Sequence, residues 1–496
     1  MFLIPSAWNL AYSLCLVIIG LSIVTGIYRL YLHPLAAFHG PRLAAMTDYY
    51  AAYYDIAGSQ VEHLEELHRV YGPIVRIRPN LLHFSDPAAF DQIYGSTMRL
   101  TKLLSFYDSF HDKESSFGFA DPNLAQERRD LLSPLFSHQR AVKFEVTVQR
   151  LVDRLIDALA TYARGKPRPA NLYLGINSTT MDIATSYCFA YCLNALDYVN
   201  FNHPALIALL STRGVYFFLQ HFPFLAPLAY HLPNCFKSPE LLAVGDFFKD
   251  IETQVDGFLA NPSSLGRLEN KSIFHYLINP GNGRKAPSRR SILDEASAMT
   301  ATGSDAVANA CSVGVFRVLS SPQIHARLLQ ELKDAWPEKR ARVGLGTLER
   351  LPYLTAVIKE SLRFSHGFVA PLPRVVHENI LIAKRLVPAG SVVAIGHSFV
   401  HNNPVIFEDP LRFNPDRWLA EESKALDEYL VAFSKGPRMC LGMNLAWCEL
   451  YLIFGNLFRK LEMQLYGTTE RDFDFKSYLT PVYHGELQVL IEIAKE

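Results

Sequence analysis

Phe433-Ser434-Lys435-Gly436-Pro437-Arg438-Met439-Cys440-Leu441-Gly442 places one cysteine in a glycine-bracketed loop that runs directly into an apolar helical pattern. Gly436 and Gly442 permit positive φ and close backbone approach, so loop amides can point at a sulfur anion. A helix starting after Cys440 adds its N-terminal partial positive charge, which favours thiolate over thiol. Arg438 carries a planar fork suited to a carboxylate, and Phe433 can shield the sulfur from water. The loop therefore reads as a socket for a thiolate-ligated haem, with Arg438 on a propionate. Most free cysteines are small buried hydrophobes. The joint pattern Phe-x-x-Gly-x-Arg-x-Cys-x-Gly, however, arises by chance in a chain of this length only with probability on the order of 10⁻⁴.

These fixed positions resemble the cysteine-ligand signature of the cytochrome P-450 family, the haem-thiolate monooxygenases. The resemblance implies a mainly α fold with a small β region, preceded here by one N-terminal transmembrane helix. It also implies haem b with Cys440 as the axial ligand to iron.

The 496 residues are about half hydrophobic, with 48 basic and 48 acidic side chains, so a large core is available and a nucleic-acid partner is not indicated. Seven cysteines with no Cys-x-x-Cys give neither a disulfide framework nor a zinc pattern, which suits a reducing compartment. From Phe2 to Tyr28 no Asp, Glu, Lys, Arg or His occurs. Trp8 to Tyr28 as a helix spans ~31 Å, close to the hydrocarbon core of a bilayer, with an aromatic residue at each interface. A signal peptide would want a basic start and a shorter apolar run. Arg29 and Arg42 follow the span, which places the remainder on the cytosolic side of the endoplasmic reticulum membrane. The expected organisation is an anchor over 1–32, a Pro-containing linker over 33–42 (His33-Pro34-Leu35, Gly40-Pro41-Arg42) and a catalytic domain over 43–496. The linker is similar to that of microsomal members from filamentous fungi. The sequons Asn177-Ser178-Thr179 and Asn270-Lys271-Ser272 would stay unmodified in the cytosol.

Strands are expected near Ile74–Asn80 and Val387–Ile395, in a chain otherwise of helical periodicity. The aromatic stretch 216–232 reads as core or as a lid over a substrate channel. Gly281-Asn282-Gly283-Arg284-Lys285-Ala286 matches a dinucleotide pattern, but Pro280 precedes it and no strand leads in. The chain shows no nicotinamide or flavin module, so its electrons come from elsewhere. The resemblance supplies the partners: an NADPH-cytochrome reductase, with cytochrome b5 as a candidate second donor.

Leu351–Arg363 is helical, so Glu360 and Arg363 share a face. With Arg417 in Phe413-Asn414-Pro415-Asp416-Arg417-Trp418, they resemble the family's buried Glu-Arg-Arg triad. The resemblance also puts Arg128 and Arg374 on the haem propionates. Ser291 to Ser320 reads as one long helix in which Thr302-Gly303-Ser304-Asp305-Ala306-Val307 resembles the oxygen-activation motif. Asp305 keeps the acid there, while Ala306 stands where the family has threonine. Thr302, one turn earlier, can substitute unless its hydroxyl bonds the i−4 carbonyl. The implied function is insertion of one oxygen atom of O2 into a lipophilic secondary metabolite (terpenoid, polyketide or alkaloid). The alternatives are a haem-thiolate isomerase or dehydratase needing no external electrons, and a non-catalytic haem-binding protein.

Overall fold

The computed structural model describes residues 7–95, 100–164, 166–225, 237–281 and 283–493. It is mainly helical with small sheets, as expected. Its helices include α1 (Ala7–Tyr31), α2 (Tyr49–Ala57), α3 (Pro122–Leu132), α4 (His138–Ala160), α5 (Leu172–Phe189), α6 (Arg213–His221), α7 (Arg289–Gly303), α8 (Asp305–Leu319), α9 (Pro352–Ser365) and α10 (Met443–Lys460).

At the centre lies α8, packed by α5, α9 and α10. It is apolar on every side because every side meets protein: Val307, Ala308, Ala310, Cys311, Val313 and Val315 are all buried. Close packing requires a missing side chain at Gly314, where a Cβ would lie 2.1 Å from Ser361 Oγ and 2.5 Å from the Phe454 ring. On the flank, α4 buries Ala141, Phe144, Val148, Leu151, Val152, Leu155 and Leu159, a helical stripe laid against α10.

The stretch read as one helix is two. α7 ends at Gly303 and α8 begins at Asp305, with Ser304 between them. Glycine followed by serine, two poor interior helix residues, stands at the interruption.

Five strands form the main sheet in the order β1-β2-β5-β4-β3, where β1 is Ile74–Arg78, β2 Leu81–Phe84, β3 Thr101–Lys102, β4 Arg374–Val375 and β5 Val392–Ala394. The β1–β2 hairpin lies where the alternating Ile-Val-Arg-Ile-Arg pattern put it. β3 and β4 bring Lys102 opposite Arg374. The segment from Asn279 to Ala286 follows a helix (Ile273–Ile278), with Asn282 outside the described residues.

Residues Ala11–Tyr31 of α1 are long and apolar enough to cross a membrane and are almost wholly unburied by protein. The end of α1 is tied to the domain: Arg29 donates to Met46 O at 2.6 Å, and Arg76 donates to Arg29 O at 2.8 Å. The segment read as a linker meets β1, where Arg76 N donates to His39 O at 2.8 Å. Of the aromatic 216–232 stretch, Phe217 is buried while Phe218 and Phe224 are exposed. Residues 226–236, including Tyr230, lie outside the described residues.

Candidate functional site

Cys440 opens onto a deep cavity of about 210 Å³ whose walls come from the cysteine loop, α7, α8, α10 and the sheet edge. The loop folds back on itself: Cys440 N donates to Phe433 O at 2.8 Å, and Phe433 also lines the cavity, 6.1 Å from the Trp447 ring. Gly436 has φ +68, and a Cβ there would stand 2.4 Å from Tyr94 O, so glycine closes the loop against its neighbour. Unlike Phe433, Ser434 and Arg438 on either side, Gly436 does not itself line the cavity. Gly442 is on that wall with ordinary φ −83, and its N–H serves Cys440. Burial pushes the Cys440 thiol up, against the opposing pull of the Gly442 N–H and the Arg129 guanidinium. The Gly442 N–H and the Arg129 guanidinium are the two groups that favour thiolate here, as the sequence expectation of a loop amide facing the sulfur has it. Cys448 is buried in α10 away from the cavity.

Four cations converge on the same cavity: Lys102, Arg129, Arg374 and Arg438. Arg438 donates to the carbonyls of Ser116, Phe119 and Asp121, and Arg374 donates to Tyr107 Oη at 2.7 Å. Lys102 donates to Phe117 O and lies over the Tyr107 and Phe117 rings at 4.1 and 4.2 Å. Burial pulls Lys102 well down and Arg438 to about 10, each pulled further by neighbouring cations. None of the four has a carboxylate within 4.0 Å among the described residues. A dianionic group in this cavity would relieve that surplus, so the residues present fit haem with its two propionates.

Arg128 is not among them. It faces the core side of α3 with Ala125 and Leu132, pairs with Glu295 at 2.9 Å and donates to Ser291 Oγ at 2.6 Å. One residue is about 100° on a helix, so the cavity-facing arginine is its neighbour Arg129. Lys102 and Arg129 were both missed from sequence. The periodicity Ala125, Arg128, Leu132 could have placed Arg128 inward, but its partner Glu295 is remote in the chain.

Thr302, Gly303 and Ala306 line the same cavity where α7 gives way to α8. Thr302 Oγ1 donates to Ala298 O at 2.7 Å, the i−4 bond that takes its proton out of reach. Thr302 and Ala306 also line an adjoining cavity of about 100 Å³ with Met181, Leu209, Phe217 and Phe248. Asp305 is on that second cavity and not the first, in an ion pair with Arg213 of α6.

Away from both cavities, Glu360, Arg363 and Arg417 meet in a buried cluster. Arg363 donates to both Glu360 oxygens at 2.8 and 3.0 Å, and Arg417 Nε to Oε1 at 3.2 Å. Trp418 Nε1 and Asn414 N complete the carboxylate's shell.

The family model described as "Cytochrome P450" (cytochrome P-450) matches residues 50–489. The chain is 30% identical to the monooxygenase macH of Penicillium terrestre, over 94% of each chain. It is 32% identical to conidiogenone synthase of Penicillium rubens, over 89% of this chain and 90% of that one. Identity to N-acetyltryptophan 6-hydroxylase of Emericella nidulans is 30%, over 90% and 89%.

Proposed function

The chain belongs to the cytochrome P-450 family of cysteine-ligated haem monooxygenases, and on that premise we propose that Cys440 is the iron ligand and that the second cavity receives a lipophilic secondary metabolite. Bound haem supplies oxygen activation and insertion of one oxygen atom into a substrate C–H bond. The protein's own part is to hold, orient and enclose. Arg129, Arg374, Arg438 and Lys102 grip the propionates, and Phe433 keeps water from the sulfur. The apolar wall of Met181, Leu209, Phe217 and Phe248 takes the substrate out of water and sets it beside Thr302 and Ala306.

Electrons come from NADPH through a membrane-bound reductase, with cytochrome b5 as a second donor. α1 anchors residues 1–32 in the endoplasmic reticulum membrane, the linker spans 33–42, and the domain from residue 43 onward lies on the cytosolic side. The apolar, protein-free surface of α1 supports that arrangement.

The observation that carries the reading is Cys440 on the wall of a cavity ringed by Lys102, Arg129, Arg374 and Arg438, which have no carboxylate partner among the described residues. The test is the reduced protein under carbon monoxide, expected to absorb at about 450 nm because thiolate ligation sets the haem spectrum. Cys440→Ser should abolish that band. A normal band in the variant would transfer the assignment to another cysteine.

A further inference from the structure

Asp112 is a carboxylate on the wall of the second cavity that the proposed chemistry does not use. It is 97% buried, being 3% exposed, and its Oδ1 has no hydrogen-bond partner among the described residues. Among the described residues the only side-chain donor to its other oxygen is Ser115 Oγ, at a long 3.3 Å. Asp305 on the same wall is neutralised by Arg213.

The loop that carries Asp112 is held rigidly. Ser115 N donates to Asp112 O at 2.9 Å, and Gly118 N donates to Ser115 Oγ at 2.7 Å. A Cβ on Gly118 would sit 1.9 Å from Asp112 O, so the turn admits no other residue. Ser116 then pins the loop to Glu295 through N and Oγ at 2.7 and 2.6 Å, and Glu114 N donates to Asp294 at 3.0 Å. A buried acceptor left open on a fixed loop is costly to the empty protein. That cost makes sense where a ligand supplies the missing partner.

We propose that Asp112 Oδ1 is the fixed point that hydrogen-bonds a hydroxyl group on an otherwise apolar substrate, so that the enzyme selects an already oxygenated lipophile. This rests on the monooxygenase reading, with substrate in the second cavity. A hydroxyl suits the site better than an ammonium. Lys102 acts on Asp112 electrostatically, and burial has already raised the carboxyl to about 7, so both of its protonation states are accessible. A hydroxyl can serve both, donating to the carboxylate and accepting from the acid. Phe110, Phe117, Leu206 and Phe368 on the same wall offer apolar surface to the rest of the ligand.

The test uses full-length protein in lipid nanodiscs with farnesol, geranylgeraniol and sclareol, each against its methyl ether, binding being read by equilibrium dialysis. The wild type should prefer the alcohol of the best-bound pair by about 10- to 100-fold, as a site built around a hydroxyl does. Asp112→Leu should bring that ratio to about one by weakening the alcohol and sparing the ether, and Asp112→Asn should keep part of it. Thermal unfolding of ligand-free Asp112→Leu should be unchanged or raised, since an open buried acceptor has gone. No preference or no binding for every pair in the wild type overturns the proposal, as does a preference that survives in Asp112→Leu. A lowered melting temperature in both variants would make Asp112 structural and overturn it too. The carbon monoxide band is recorded for each sample: its absence from the wild type would be failure of the haem-thiolate reading, a separate result.

Discussion

Asp305, which is buried, and Arg213, which is partly buried, form an ion pair with Oδ1 and Nη2 2.7 Å apart, joining the first residue of α8 to the first residue of α6 at the wall of the second cavity. Asn309 Nδ2 also donates to Asp305 at 3.2 Å. The acid that sequence resemblance assigns to the oxygen side is thus engaged with a helix that lines the second cavity. Replacing Arg213 with Met leaves Asp305 buried without its counterion, which should cost about 3 kcal/mol by denaturant unfolding. The double variant Asp305→Asn/Arg213→Met should recover much of that loss. Equal instability of single and double variants would show that the pair is not what holds the two helices.

Thr302 spends its hydroxyl proton on Ala298 O, and Ala306 has no hydroxyl to spend. Thr302→Ala should therefore leave the ratio of product to NADPH consumed within about twofold of wild type, since the lost bond is local to the helix. Ala306→Thr should raise that ratio and lower released peroxide by adding a hydroxyl at the wall of both cavities. NADPH and peroxide accounting with the true substrate checks both. Product formed without NADPH consumption would reject the monooxygenase reading itself.

Local patterns were legible wherever local physics decides them. The cysteine loop, the charge-free N-terminal helix, the β1–β2 alternation and the shared face of Glu360 and Arg363 all depend on neighbours within a few residues. What escaped depends on contacts across the chain. Arg128 and Arg129 are equivalent by composition, and only Glu295, 166 positions or more away, tells which one turns inward. Lys102 reaches the cavity because its two-residue strand pairs with Arg374–Val375. Asp112 is unremarkable in sequence and matters only because its loop is tied down to Asp294 and Glu295. The break at Ser304 has a local sign in Gly303, a poor residue for a helix interior.

The two adjacent arginines should separate cleanly. Arg128→Ala leaves Glu295 buried and unpaired, so the loss is in folding, about 3 kcal/mol, whether or not haem is present. Arg129→Ala removes a cavity cation whose charge burial already disfavours, so the haem-free fold should be little changed. Its loss should appear as faster haem transfer to an apomyoglobin acceptor. Unfolding curves of the haem-free proteins, beside transfer rates of the loaded ones, give the four numbers needed. Faster transfer from Arg128→Ala alone would restore the assignment made from sequence.

Glu360 accepts from five donors: Arg363 Nε and Nη2, Arg417 Nε, Trp418 Nε1 and Asn414 N. Arg363 meanwhile donates to the carbonyls of His401 and Pro410, each at 2.8 Å, so one carboxylate fixes α9 and the segments around residues 401, 410 and 414. Breaking a buried pair from one side strands the remaining charge, and here two guanidinium groups would be stranded. Glu360→Ala should therefore cost at least about 3–5 kcal/mol, enough to consume much of a typical domain's margin. Glu360→Gln keeps the shape but loses the charge and turns one acceptor into a donor facing Arg363, so it should be nearly as damaging. Arg417→Lys should be milder, because Arg417 is the outer member and an ammonium can still reach the carboxylate. Expression in the presence of excess haem, followed by thermal unfolding, ranks the three. An Arg417→Lys variant less stable than Glu360→Ala would show that the weight of the cluster lies on Arg417 and not on the carboxylate at its centre.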